Sequence, residues 1–187
     1  KILNPDGIVQ PTCRRFPTYL TAIFNRTSLL TRLFPNNRFS KRYLLSNWNH
    51  ESIRRVDWVC GAYIIFRREA FMDVGYLDEN YFLYCEDIDW CYRAKRKGWK
   101  IYYVSQAKLI HSYRSDAYTR KKIIHHYKSM YRFYRQYLKV PLAIQVLIAS
   151  GIFLRVAWIL LLYCLRTPFN SLHKTLHVSE KSLIIKA

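Results

Sequence analysis

Residues Tyr81–Trp99 read YFLYCEDIDWCYRAKRKGW, and their reading decides the fold. From Glu86 the run fits a helix that reaches Lys97 and stops at Gly98. Its acids, Glu86, Asp87 and Asp89, fall in the first turn, and Arg93, Lys95, Arg96 and Lys97 fall in the last, so both ends complement the helix dipole. Asp89 and Arg93 stand four apart and can pair on one face. Downstream, Trp99–Val104 (WKIYYV) has the aromatic and β-branched content of a strand, and Lys108–His111 reads as a short strand or loop. Upstream, Val56–Phe66 (VDWVCGAYIIF) reads as a buried strand interrupted at Gly61. Arg68–Val74 is a short helix ended by Gly75, and Leu77–Tyr81 is an acidic loop. Strands alternating with helices point to an α/β fold.

Further out the pattern weakens. Asn4-Pro5-Asp6-Gly7 is a turn signal, followed by the alternating Ile8-Val9-Gln10 and by basic Arg14-Arg15 before Pro17. Thr18–Leu33 is a plausible helix broken at Pro35-Asn36-Asn37, and residues 18–50 otherwise carry little pattern. Beyond Asp116 the texture changes. Residues 117–139 place aromatics and aliphatics at helical spacing opposite a basic face, with His125 and His126 read as part of the solvated side. Pro141 ends that helix. Leu142–Leu165 is almost wholly apolar and long enough to cross a bilayer, yet Arg155 sits near its middle. A charge at the bilayer centre costs at least ~2.5 kcal/mol. A helix lying in the interface, with Arg155 reaching the headgroups, or a re-entrant one avoids that cost; a spanning helix and a buried core helix are the alternatives. The divisions are therefore 1–115, 116–140 and 141–187.

The chain has 187 residues, of which 51% are hydrophobic and 17% aromatic, enough to build a core. Against 31 Lys and Arg stand 12 Asp and Glu, for a formal charge of +19. Such a field favours polyanions: nucleic acid, anionic lipid or phosphorylated substrates. Five cysteines (Cys13, Cys60, Cys85, Cys91, Cys164) show no CxxC or zinc-ribbon spacing and read as reduced thiols of a reducing compartment. The first residues, Lys-Ile-Leu-Asn-Pro-Asp-Gly, read as the middle of a domain, which suggests a fragment.

In so basic a chain, three carboxylates within four residues mark where proton or metal chemistry can occur. On the residues alone, Glu86 and Asp87 better suit a plainer role as caps of the helix. The ordered series Val56-Asp57-Trp58-Val59-Cys60-Gly61-Ala62, Arg67-Arg68-Glu69-Ala70-Phe71, Val74-Gly75, Leu77-Asp78-Glu79, Tyr84-Cys85-Glu86-Asp87-Ile88-Asp89-Trp90, Gly98-Trp99-Lys100-Ile101 and His111 resembles a known family. It is similar to the C-terminal half of the catalytic domain of family 2 glycosyltransferases, in the rhamnosyltransferase-like branch that builds bacterial surface polysaccharide. Asn4-Pro5-Asp6-Gly7 with Arg14-Arg15-Phe16-Pro17 looks like the hairpin preceding that half, so the likeness covers roughly residues 1–135.

The resemblance implies a GT-A fold, a nucleotide-sugar donor, and inverting transfer to a saccharide or lipid-linked saccharide, with rhamnose the sugar this branch suggests. It also implies a divalent metal, Mg²⁺ or Mn²⁺, whose main ligands belong to a DxD-type motif in a nucleotide-binding N-terminal half with no counterpart here. The isolated piece is then expected to bind donor poorly and to be inactive. By the same resemblance Asp87 is the catalytic base, Glu86 orients it or a substrate hydroxyl, and His111 can help hold the metal. Arg114 and Ser115 sit on a loop over the donor phosphates, and Trp58, Gly61 and Ala62 floor the sugar and acceptor cleft. Each has a plainer counterpart: edge histidine, surface base, core tryptophan. Asp57 either contacts acceptor or stabilises a turn. The basic helix and apolar segment suit the cytoplasmic face of a plasma membrane. Nucleic-acid binding through interleaved Lys, Arg and Tyr is a competing reading, disfavoured by the apolar stretch and the lack of any RRM, KH or helix-turn-helix pattern. A non-catalytic membrane-bound scaffold is another.

Overall fold

A computed structural model describes residues 1–23, 31, 33–112, 120–138 and 141–162. It is a mixed α/β structure. In chain order the strands and helices are β1 (Ile2–Leu3), β2 (Cys13–Arg14), α1 (Tyr19–Ile23), α2 (Arg38–Leu44), β3 (Arg54–Val56), β4 (Trp58–Val59), α3 (Arg68–Val74), α4 (Glu86–Arg96), β5 (Ile101–Tyr103), β6 (Leu109–Ile110) and α5 (Arg120–Tyr137). An apolar helix, α6, follows over Leu142–Leu162.

The strands pair as three short ladders. β1 runs parallel to β6, β2 antiparallel to β4, and β3 antiparallel to β5 with Val56 opposite Ile101. β4 adjoins both β5 and α4, which brings the ladders against one helix. The core lies between them: Trp58, Ala70, Val74, Tyr81, Ile88, Trp90, Cys91, Ala94 and Phe133 are all buried, with Phe66 stacked edge-on to Trp90 at 4.3 Å. Helix α5 closes this core through Phe133, which is 2% exposed.

The expected strand over Val56–Phe66 is shorter and split. Asp57 interrupts it, because its carboxylate is used elsewhere: Oδ2 accepts the Phe16 amide (3.0 Å) and Oδ1 the Lys95 ammonium (2.6 Å). Cys60 still donates its N–H to Thr12, but Gly61 donates to a side chain instead of a ladder, and the chain turns out over residues 61–63. The strand at Trp99–Val104 likewise contracts to Ile101–Tyr103. Both helix ends read at glycine hold. Gly75 (φ 88°, ψ −178°) and Gly98 (φ 89°) occupy backbone regions that favour glycine, and Gly75 hands its carbonyl to the Trp90 indole at 2.8 Å. Helix α2 was not read from the sequence. The supposed breaker Asn37 is its N-cap, its side chain accepting the Ser40 amide at 2.8 Å. The expected helix over Thr18–Leu33 begins at Tyr19; residues 24–30 and 32 lie outside the described residues.

Candidate active site

The acidic cluster starts a helix whose entry is strained. Tyr84 (φ 64°) and Cys85 (φ 71°) take left-handed backbone in succession, a conformation costing non-glycine residues on the order of 1 kcal/mol or more each. Cys85, the N-cap, makes no side-chain cap bond. That turn directs Asp87 inward, where it is 9% exposed. Its Oδ2 accepts the Gly61 amide at 2.8 Å, and its Oδ1 the Ile88 amide at 2.8 Å, so the carboxylate spans from its own helix to the end of β4. The capping alternative is thus met by one oxygen only. A carboxylate carries about four acceptor positions, so both oxygens keep capacity beyond these two bonds.

Burial raises the Asp87 pKa above the ordinary carboxylate range, against the opposing pull of the Gly61 and Ile88 amides and the positive charge of Arg14. Glu86 is raised as well, first by burial and then by the charge of Asp87. Its Oε2 is buried and has no hydrogen-bond partner among the described residues. Arg14, on β2, lies 5.9 Å from the Tyr43 ring and 5.6 Å from the Trp58 ring.

The remaining candidates divide. Gly61 and Ala62 form the exposed turn beside Asp87, and a Cβ on Gly61 would lie 3.6 Å from Asp87 Oδ2. Trp58 belongs to the core at 6% exposure, its indole donating to the Arg15 carbonyl at 2.9 Å under the Arg14 cation; this is the packing role, supporting the turn from beneath. Asp57 accepts the Phe16 amide and the Lys95 ammonium, a structural use of both its oxygens. His111 ends β6. Its amide donates to Leu3 (2.8 Å), its carbonyl accepts from Gln10 (2.8 Å), and Nδ1 lies 3.3 Å from Gln10 Oε1. Arg114 and Ser115 lie outside the described residues. No group of three or more His, Cys, Asp or Glu fit to hold a metal occurs among the described residues. The described residues therefore bring no metal centre together by themselves, and His111 would contribute one ligand.

Two histidines were misjudged. His125 packs on Phe82 (4.6 Å) and His126 lies edge-on to Tyr84 (5.1 Å), at the strained entry of α4. Nδ1 of His126 is buried and unpartnered, and burial, with Arg155 and Arg14, holds its pKa low. Both sit on one helix among bases, and only the tertiary packing shows which face turns inward. The cysteines agree with inert thiols: burial pushes Cys13 up to about 11 and Cys91 up to about 12.

A buried aspartate with a half-buried glutamate beside it at a helix start, next to a small-residue turn that leaves backbone approachable, is suited to taking a proton from a hydroxyl. Comparison with known proteins gives the family. The sequence profile described as glycosyl transferase family group 2 matches residues 18–178, and the chain belongs to this family. Among curated relatives it is similar to the N-acetylglucosaminyl-diphospho-decaprenol L-rhamnosyltransferase of Mycobacterium tuberculosis, at 33% identity over 135 residues, 71% of this chain and 43% of that protein. It is 36% identical to the rhamnosyltransferase WbbL of Escherichia coli (strain K12) over 80 residues, 42% of this chain and 30% of that one. The low-salt glycan biosynthesis hexosyltransferase Agl10 of Haloferax volcanii matches at 29% over 112 residues, 60% of this chain and 31% of that protein. The chain thus spans less than half the length of these relatives. No solved structure matches it significantly.

Proposed function

We propose that this chain is the acceptor-side half of an inverting glycosyltransferase of GT-A architecture. In this reading the full-length protein moves a hexose of the rhamnose class from a nucleotide-sugar donor to a hydroxyl of a saccharide or lipid-linked saccharide, in the synthesis of a surface polysaccharide. The work is done at the cytoplasmic face of the plasma membrane, with α6 holding the chain at the lipid. The observation that carries the reading is the Asp87 carboxylate, buried at the head of α4 and bonded to the Gly61 amide. The names of the relatives support the substrate class.

Asp87 takes the proton of the acceptor hydroxyl as that oxygen attacks the anomeric carbon. The bond from that carbon to the nucleotide diphosphate breaks on the opposite face, and the electron pair leaves with the diphosphate. Its raised pKa makes Asp87 a stronger base than an exposed aspartate. The Gly61 and Ile88 amides fix the direction of its lone pairs, and Glu86 beside it orients the hydroxyl. A divalent ion, when bound, supplies charge to the departing diphosphate. His111 is offered as one of its ligands.

The test is made on the full reading frame containing this chain. Asp87→Asn keeps the shape and the Gly61 bond, and is expected to lower kcat by ~10²–10⁴-fold with little change in acceptor KM. Unchanged transfer by a variant whose circular dichroism matches the parent overturns the assignment.

A further inference from the structure

Away from the carboxylate pair, α2, β3 and the β2 hairpin enclose two adjoining cavities of about 290 Å³ and 350 Å³ that share Arg15, Leu45 and Arg54. Besides Lys95, six cations line them: Arg15, Arg38, Lys41, Arg42, Arg54 and Arg55. Arg38, Lys41 and Arg42 repeat at i, i+3 and i+4, so α2 presents them on one face. The only carboxylate lining either cavity is Asp57, already neutralised by Lys95 at 2.6 Å. None of the six makes an ion pair among the described residues. Like charges gathered without counter-charge repel one another in the folded state, and an anion arriving from outside relieves that repulsion.

The neighbours of these lining residues along the chain identify the anion. Leu33 and Phe34 are each 62% exposed, Ile53 is 54% exposed and Phe39 is 39% exposed with the Arg38 guanidinium 5.6 Å above its ring. Bulky apolar side chains standing in solvent among unneutralised cations match a lipid interface, which takes the apolar tips below the headgroups and sets phosphates against the bases. A soluble phosphate site has no use for exposed Leu33 and Ile53. The same molecule carries α6, 21 residues of mean hydropathy 2.1, which brings the groove within reach of a bilayer.

We infer that the α2–β3 groove is a second membrane-contact site, distinct from α6, that seats the catalytic half on the phosphate headgroups of anionic phospholipids. This rests only on the membrane-association part of the function proposed above. The two are separable, because retention on neutral vesicles reports α6 and the added retention on anionic vesicles reports the groove.

The experiment measures partition of the full chain onto phosphatidylcholine vesicles with and without about one-third phosphatidylglycerol, and compares the ratio. Arg38→Gln/Arg42→Gln/Arg54→Gln is expected to cut the anionic increment on the order of 100-fold, at ~5-fold per cation, and to leave neutral partition alone. Arg67→Gln/Arg68→Gln/Lys100→Gln removes the same charge from exposed positions elsewhere, and a loss as large with that variant overturns the proposal. Phe34→Ser, which keeps every charge, is expected to reduce the increment several-fold, and no reduction overturns it. So does displacement of the chain by inorganic pyrophosphate at matched ionic strength, which would assign the cavities to a soluble phosphate. Groove-dependent retention on RNA that exceeds retention on the anionic vesicles would assign them to nucleic acid and overturns it too.

Discussion

Glu86 and Asp87 illustrate how a site costs the fold something. Each carboxyl has its pKa raised by burial, so each is harder to ionise in the folded chain than in the unfolded one. Below the unfolded value, about 4.5 for glutamate, both states are protonated and no cost exists; as pH climbs through the folded value the stability is lost, and it stays lost at neutrality. Glu86→Gln removes the Glu86 share. It is therefore expected to raise Tm at pH 7, with the gain fading below pH ~4.5; thermal scans across pH check it. An equal gain at pH 4 would show that charge burial is not the cause. Catalysis sees the same shift with opposite sign of benefit. The acid limb of kcat/KM is expected above the ordinary carboxylate range, as a property of the coupled pair. Gly61 sets the room beside them. A methyl there meets only Asp87, at ordinary contact distances of 3.5–3.8 Å, so Gly61→Ala is expected to fold within ~0.5 kcal/mol of the parent while acceptor KM rises. A stability loss matching the loss of activity would instead make Gly61 structural.

At the scale of elements, α4 is held by one buried carboxylate. Asp89, fully buried, accepts Arg93 Nε at 2.8 Å and the Tyr137 hydroxyl at 2.5 Å. The other guanidinium nitrogens of Arg93 reach the carbonyls of Val74 and Tyr76 at 2.7 Å each, locking α3, α4 and α5 together. Arg93→Ala strands Asp89 and is expected to cost ~3–5 kcal/mol in urea titration. Tyr137→Phe removes a bond to a charged group, ~1.5–3 kcal/mol. Arg93→Lys restores charge without the planar fork and is expected to recover only part; full recovery would show that the carbonyl bonds contribute nothing. The i, i+4 pair was legible in sequence because helix geometry fixes it. Tyr137, 48 residues away, was not, since no local pattern records which helix returns to cover a charge. The same limit explains the strands. The apolar run at Cys60–Phe66 reads as a buried strand, but residues 61–63 and 65 stand exposed because the chain turns out where the Gly61 amide goes to Asp87. Helix α2 was hidden for a different reason: Pro35-Asn36-Asn37 is breaker and cap at once, and a helix of seven residues carries too little periodicity to tell.

For the molecule as a whole, the family match runs through residue 178 and so includes α6, which belongs to the body of the family domain. Eight large apolar side chains of α6 stand exposed, among them Leu142, Phe153 and Trp158. Nothing in the described chain covers them, which fits a helix whose solvent is lipid. Its single internal cation is turned toward protein: the Arg155 guanidinium lies 5.9 Å from the Tyr127 ring of α5, and its charge reaches His126. A helix threaded across the bilayer would hold that contact at mid-depth and bring basic α5 down with it, at ~2.5 kcal/mol or more per charge carried. A helix lying along the surface keeps Arg155 and α5 at headgroup depth and wets neither in hydrocarbon. The two arrangements place the ends of α6 differently. With Cys164→Ser as background, Leu142→Cys and Leu161→Cys are each expected to react with a membrane-impermeant maleimide added to the same side of sealed vesicles, at comparable rates. Labelling of one end from outside and of the other only after detergent would establish a span, and with it a depth for Tyr127 that surface docking of α5 does not permit.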